Sequence, residues 1–159
     1  MKSVLNILGI VAAIAILGGV AVLFYFFLTN RTIDQMLAEN VPISSGWTEV
    51  VADPPLTAFR RAQELLISIP NYTLDRGEKL PSGQIRLPDG RIASLEVEGI
   101  DADGNTVPFR FRGHTLSERD YVVFTPAEEL GNKQVTKIRV RSSESLSAEQ
   151  VFWRNRNPK

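Results

Sequence analysis

The chain has 159 residues, with 18 basic and 18 acidic side chains and no cysteine. This balance excludes nucleic-acid binding steered by net charge, and the lack of cysteine excludes a disulfide framework and thiol chemistry. The apolar residues are unevenly distributed, because 21 of the 25 residues from Val4 to Leu28 are apolar and none is charged. The remainder has the composition of one soluble domain.

The segment Val4 to Leu28 predicts a membrane-spanning helix. At about 1.5 Å per residue a helix of this length reaches ~37 Å, which is enough to cross a hydrocarbon core of ~30 Å. The run ends in aromatic and leucine residues rather than in small ones, so it lacks a signal-peptide cleavage site. We therefore expect an uncleaved signal-anchor, and the lipid bilayer is the first expected partner.

The charges around this span favour one orientation. The amino terminus and Lys2 precede it, and Arg31 is the first basic residue after it. The positive-inside rule then places the amino end in the cytoplasm and the folded domain outside it, in a periplasmic or extracellular space.

Small residues recur at four-residue spacing along the span, a pattern that lets membrane helices pack closely. The candidate helix-packing face consists of Gly9, Ala13, Ala15 and Gly19. The alternative is that these residues have no packing role, because glycine and alanine are frequent in membrane helices generally.

Residues 31–46 predict a juxtamembrane helix and a linker. Thr32 fits the start of a capping box, and apolar residues at helical spacing follow it until Pro42 stops the helix. The chain therefore divides into a membrane helix at 1–30, this connecting segment, and a domain at 47–159.

The domain shows the alternation of apolar and polar residues that is typical of β-strands. The clearest strands are 106–112, 136–141 and 151–154. The weaker candidates, each bounded by turn residues, are 46–51, 84–87, 92–100 and 120–125. Seven or eight short strands in a domain of this size predict an all-β fold, an antiparallel β-sandwich or barrel.

Two places in this pattern depart from simple alternation. The segment from Pro55 to Pro70 fits both a helix and a strand, and we expect a short helix or turn from Thr57 to Gln63 followed by a strand from Leu65 to Ile69. Pro108 interrupts a clear strand, which indicates a sheet edge or a bulge.

The later part of the domain contains three segments in a characteristic order: RIASLEVEGIDADGNTVPFRF, DYVVFTP and VTKIRVRSSESLSAEQVFW. From about Arg91 to Trp153 this order resembles the later half of galactose-binding-like (discoidin-type) β-sandwich domains. The resemblance implies an eight-stranded jelly roll whose loops at one end often bind sugars, lipids or proteins. The chain lacks the cysteine pair that often ties the ends of such domains, and no ligand motif can be transferred. The resemblance therefore contributes a fold and no site residue.

The segment from Asp101 to Asn105 has the alternating oxygen ligands that begin a calcium loop. The full pattern fails, because Thr106 stands where an EF-hand loop needs glycine and Arg112 stands where it needs a bidentate carboxylate. We expect a hairpin turn here, since Asp-Gly and Asn supply the backbone conformations that such turns need.

His114 is the single histidine, and it follows Gly113 in an expected loop. Without cysteine or a second histidine the chain lacks the ligands of a transition-metal site, and neither a nucleophile elbow nor a phosphate-binding glycine loop occurs. We therefore predict no catalytic residue, no metal, no cofactor and no enzymatic activity. The alternative, a membrane-tethered hydrolase, would show pocketed carboxylates with raised pKa values.

Four arginines occupy the polar faces of two predicted strands and form a candidate interaction patch if those strands are neighbours. They are Arg110, Arg112, Arg139 and Arg141. Such a patch would suit an anion or a lipid headgroup, and the alternative is an ordinary solvated strand face.

These observations predict a non-enzymatic, single-pass membrane protein whose β-sandwich mediates protein–protein interaction, as an accessory or stabilising subunit of a larger membrane complex. Other subunits of that complex are the expected partners, and nucleic acid is not. The alternative is a membrane-tethered module that binds a carbohydrate or another ligand. Sugar sites usually need exposed aromatic rings, whereas we expect Trp47, as the first core residue, and Trp153 to be buried.

Overall fold

The computed structural model describes residues 19–21, 32–58, 62–72, 80, 82–115 and 121–156. The predicted span from Val4 to Leu28 and its packing face lie outside the described residues, except for residues 19–21, which are helical. Among the described residues, no helix combines the length and the apolar character needed to cross a membrane.

Nine strands form the part of the domain that the structure describes. They are β1 (Ile33–Ile43), β2 (Thr48–Leu56), β3 (Ala62–Ser68), β4 (Gln84–Arg86), β5 (Ile92–Asp101), β6 (Thr106–Thr115), β7 (Tyr121–Pro126), β8 (Val135–Ser142) and β9 (Leu146–Arg156). Every strand predicted from the alternation of apolar and polar residues is confirmed, and β1 is additional.

All the strand pairs are antiparallel, and eight strands follow the order β1-β9-β3-β7-β6-β5-β8-β2, with β4 added beside β5. The two end strands of this order, β1 and β2, lie next to each other, so the sheet is nearly closed. Side-chain bonds to the backbone join them: Thr48 Oγ1 donates to the Pro42 carbonyl at 2.8 Å, and Gln35 Nε2 donates to the Pro54 carbonyl at 2.7 Å.

Strand β6 belongs to both layers of the sandwich. Its first residues pair with β5 as far as Pro108, and from Phe109 onward it pairs with β7. Pro108 has no N–H to donate, and its carbonyl accepts the N–H of Ala127 at 2.8 Å. The position that the sequence marked as an edge or a bulge is therefore the point where β6 changes partners.

The core lies between the layer β1-β9-β3-β7 and the layer β5-β8-β2. Its largest fully buried side chains are Trp153, Ile43, Leu56, Leu65, Ile67, Ile85, Ile138, Val122, Val135, Val140 and Val151. Gly99 of β5 faces this core, where an added Cβ would stand 2.9 Å from Val135 Cγ1 and 3.1 Å from Phe109 Cε2. The side chains of Val135 and Phe109 occupy this space because the residue has no side chain.

The juxtamembrane helix predicted within residues 31–46 is wrong, because Ile33–Ile43 is strand β1, which pairs with β9 along its length. Two irregularities of β1 explain the misleading spacing. The register shifts between Met36 and Ala38, and Asn40 has a φ of 53°. Both interrupt the two-residue alternation, so the apolar positions of this strand fall at helix-like intervals.

The segment from Pro55 to Pro70 is corrected in part. Leu65 to Ile69 lies almost wholly in β3 as predicted, but the strand already begins at Ala62. The helix or turn expected from Thr57 to Gln63 is therefore wrong at its end, and residues 59–61 lie outside the described part of the chain. Strand β3 is buried on both faces, which removes the alternation that would have marked its start.

Candidate functional site

Arg139 and Arg141 lie side by side on the outer face of β8, and each pairs with a glutamate of β5. Arg139 is 2.8 Å from Glu98, and Arg141 is 2.6 Å from Glu96, so the charges on this face largely neutralise each other. Because these pairs are partly exposed, their main effect is to hold the two guanidinium groups in place.

Trp47 packs against these two arginines, and the prediction that it anchors the core is wrong. It is half-buried on the outer face, with the guanidinium carbons of Arg141 and Arg139 at 4.5 and 5.0 Å from its ring centroid. The prediction for Trp153 is confirmed, because that side chain is fully buried. An aromatic residue just before a strand is compatible with either face, and no neighbouring residue distinguishes the two.

Arg110 and Arg112 lie elsewhere, beside a cavity of about 620 Å³ whose lining also includes Glu128 and Glu129. They separate from the arginines of β8 because β6 leaves β5 after Pro108. The four arginines of the candidate patch therefore form two groups, each with acidic neighbours.

Apolar side chains cross the outer face of the β1-β9-β3-β7 layer in one line. Register pairs place Met36 beside Phe152, Phe152 beside Leu66, and Leu66 beside Val123. We call these four residues the apolar row. Met36 is 42% exposed and Phe152 is half-buried, whereas Leu66 and Val123 are buried. Tyr121 extends the row, with its ring centroid 6.0 Å from that of Phe152.

A line of alternating charges runs beside the apolar row. Asp34 accepts two hydrogen bonds from Arg154, at 2.7 and 2.8 Å, and Glu64 forms an ion pair with Arg112. We call these four residues the charged row. The hydrogen bonds to Asp34 raise the pKa of the Arg154 guanidinium above its ordinary value. Glu64 is buried, so this carboxylate depends on its cationic neighbours.

A second cavity, of about 480 Å³, lies beside the stretch of β2 between Val51 and Leu56 where its register with β8 shifts, and we call it the Trp153 cavity. Its lining consists of Gln35, Pro54, Pro55, Thr57, Gln134, Trp153 and Asn155. Trp153 Nε1 and Asn155 Oδ1 are both buried, and neither has a hydrogen-bond partner among the described residues. Buried polar atoms are usually satisfied, so these two atoms are an exception among the described residues.

The turn from Asp101 to Asn105 is confirmed as a hairpin turn, with Gly104 at a φ of 84°. Asp101 Oδ1 accepts the N–H groups of Asn105 and Asp103 at 2.8 and 3.0 Å. The hydrogen bond from the Asn105 backbone is the main cause that lowers the pKa of Asp101. His114, expected in a loop, belongs to β6, and its side chain lies outside the described residues.

We predict that Asp101→Asn makes the stability of the domain less dependent on pH in the acid range. The pKa of Asp101 is lower in the folded state than in the unfolded state, where it is about 3.9. Its charge therefore stabilises the fold above pH ~3.9, and this stabilisation is lost as the pH falls through the lowered folded pKa.

Urea unfolding at a series of pH values measures this effect. The advantage of the original protein over Asp101→Asn should be constant near neutral pH and should shrink in acid. Asp103→Asn, which removes an exposed charge from the same turn, is the control. A constant difference between the original protein and Asp101→Asn down to pH ~2 would contradict the prediction.

Sequence reasoning missed both the apolar row and the Trp153 cavity. The signal for the row was present in Phe152 and Leu66, which break the alternation of their strands with apolar residues at outer positions. The cavity had no such signal, because it joins residues of β1, β2 and β9 that are remote in sequence.

Comparisons with family models, curated proteins and solved structures found no match to this chain.

Proposed function

We propose that this protein is a non-enzymatic, single-pass membrane protein whose β-sandwich binds another subunit of a membrane complex. The apolar row on the outer face of the sheet carries this proposal. An outer strand face in a solvated sandwich is normally polar, whereas here Met36, which is 42% exposed, and the half-buried Phe152 and Tyr121 present apolar surface that a partner can contact.

The row has the layout of a protein interface. Apolar and aromatic side chains occupy its middle, and the charged row provides a polar, electrically neutral rim along one side. A neutral rim favours a partner surface that is itself apolar and uncharged. An interface of ordinary size takes roughly 20 to 30 residues from each side, so the exposed side chains of the apolar row would form one part of it.

The position of the row in the chain favours a partner in the same membrane. Met36 follows the end of the predicted span at Leu28 by eight residues. At about 3.3 Å per extended residue the row lies within roughly 26 Å of the bilayer. A subunit embedded beside the anchor can reach the apolar row. We place the domain outside the cytoplasm, and the distance from the row to the bilayer is the same on either side of the membrane.

Substitution of Met36 tests the proposal. The full-length protein, purified from its native membranes in mild detergent, should carry other membrane subunits in fixed stoichiometry. Met36→Lys should weaken this association about tenfold or more, because it places a charge on the most exposed residue of the apolar row. Size-exclusion chromatography with mass determination measures the loss.

Val51→Lys is the matched control, because Val51 is 64% exposed on a strand of the other layer. It should leave the complex intact. A monodisperse monomer of the original protein, or equal loss of the partner in both variants, would contradict the proposal.

A second candidate function, a membrane-tethered ligand-binding module, is favoured by the Trp153 cavity. As part of this second proposal, the domain is related to discoidin-type domains and shares their jelly-roll topology. In its support, β5 to β9 occupy the segments from Arg91 to Trp153 that carry the resemblance.

A further inference from the structure

Charged side chains of both signs line the cavity of about 620 Å³ beside Arg110 and Arg112, which we call the Arg110 cavity. Glu128 and Glu129 are the acidic members of its lining. Arg110 and both glutamates are exposed, and none of them takes part in an ion pair with the described residues. Arg112 forms an ion pair with Glu64, but 51% of its side chain stays exposed. The cavity therefore presents accessible cations and anions that do not pair with each other across it.

The fold places the two signs at different ends of the Arg110 cavity. Arg110 lies beside Thr125 in the pairing of β6 with β7, and the N–H of Ala127 donates to the Pro108 carbonyl at 2.8 Å. The pairing of these two chain segments therefore continues past the end of β7. Because alternate residues of a strand are ~7 Å apart, Ala127 lies about that far from Thr125, and the two glutamates follow Ala127 along the chain.

This arrangement favours a ligand that carries both charges. A simple anion would be attracted by the arginines and repelled by Glu128 and Glu129, and a simple cation would meet the opposite balance. The four charged side chains of the lining sum to zero, so their combined field selects neither sign. A molecule with an anionic group at one end and a cationic group at the other forms charge-assisted hydrogen bonds at both ends of the cavity.

We propose that the Arg110 cavity binds a small zwitterion whose carboxylate and ammonium groups are joined by a short methylene chain. The carboxylate accepts hydrogen bonds from Arg110 and from the exposed part of Arg112, and the ammonium group donates to Glu128 and Glu129. The methylene chain lies along the lining beside Ala62. An α-amino acid is disfavoured, because its two charged groups share one carbon atom and cannot reach both ends of the cavity.

This inference goes beyond the proposed function and depends on neither the apolar row nor the Trp153 cavity. Loss or retention of a membrane partner by Met36→Lys therefore leaves it unaffected. It assigns a ligand class to two arginines that the sequence singled out, and it adds the two glutamates that the sequence did not mark.

Nuclear magnetic resonance of the ¹⁵N-labelled full-length protein in detergent tests the proposal. The signals to follow are the backbone amides of Gln63, Thr125 and Ala127, which belong to the lining. The probe 6-aminohexanoate carries both charges, 6-acetamidohexanoate only the negative one and 6-aminohexanamide only the positive one. We expect 6-aminohexanoate to shift these signals saturably and the two singly charged probes to bind about tenfold more weakly. Glycine, which has both charges without the chain, should also bind about tenfold more weakly.

Two variants show which end of the cavity binds which charge. In Arg110→Gln, 6-aminohexanoate should lose most of its advantage over 6-aminohexanamide, because the carboxylate of the probe has lost a partner. In the double variant Glu128→Gln with Glu129→Gln, it should lose most of its advantage over 6-acetamidohexanoate. All three side chains are exposed, so both variants should fold.

Lys133→Gln and Glu149→Gln are the matched controls, because both side chains are exposed and lie outside the lining. Each should bind 6-aminohexanoate as the original protein does. The proposal is overturned if a singly charged probe or glycine binds the original protein as tightly as 6-aminohexanoate does. It is equally overturned if both variants keep the full advantage of the zwitterion, or if 6-aminohexanoate causes no saturable shift.

Discussion

Trp153→Ala should lower the free energy of unfolding by about 3 to 5 kcal/mol. Trp153 is the largest fully buried side chain, and it packs edge-on against Phe109 with ring centroids 6.2 Å apart. Its removal leaves a hole between the two layers, and relaxation of the neighbouring strands fills such holes only in part. Urea unfolding followed by circular dichroism measures the loss.

Trp47→Ala is the matched control, because it removes the same side chain from the outer face. Two cation–π contacts of about 0.5 to 1 kcal/mol each predict a loss of about 1 to 2 kcal/mol. If Trp153→Ala fails to fold, Trp153→Phe keeps much of the volume and should fall between the two variants. Equal losses for Trp47→Ala and Trp153→Ala would contradict the assignment of the two rings to opposite environments.

Arg112→Met should destabilise the domain by about 2 to 3 kcal/mol. The substitution removes the cation paired with Glu64, whose side chain is 3% exposed, and leaves a buried carboxylate with less compensation. The expected loss is below that of a fully buried pair, because half of the Arg112 side chain is in solvent and Arg154 remains close to Glu64.

Arg110→Met is the matched control from the same strand and the same outer face. Arg110 is exposed, so its loss should cost about 0.5 kcal/mol or less. The double variant Arg112→Met with Glu64→Leu should recover most of the stability, because it removes both members of the pair. Equal effects of Arg110→Met and Arg112→Met would show that the Glu64 pair contributes nothing.

The all-β class and eight of the nine strands could be predicted because most strands bury one face. Alternation is strong wherever one side of a strand meets the core and the other meets solvent, as in β8, where Ile138 and Val140 alternate with Arg139 and Arg141. It failed at β1, where a bulge and the positive φ of Asn40 change which side faces inward.

The candidate sites were harder to predict, because the pairing and register of the strands decide which residues lie next to each other. The arginines of β6 and β8 look equivalent along the sequence, but Pro108 marks the point where β6 changes partners and separates them. Likewise, Gln35 and Gln134 are ordinary polar residues until the fold places both beside Trp153. A single sequence carries no record of such long-range pairings.

The pairing of β1 with β9 fixes when this domain can form during its synthesis. Asp34 and Arg154 bond across 120 residues of chain, and β3 takes the same neighbour on the other side of β9. Strands β1 and β3 therefore each keep an unpaired edge until the segment beginning at Leu146 leaves the ribosome. A chain terminated before that point loses the shared neighbour of β1 and β3, and the exposed edges then favour aggregation over folding.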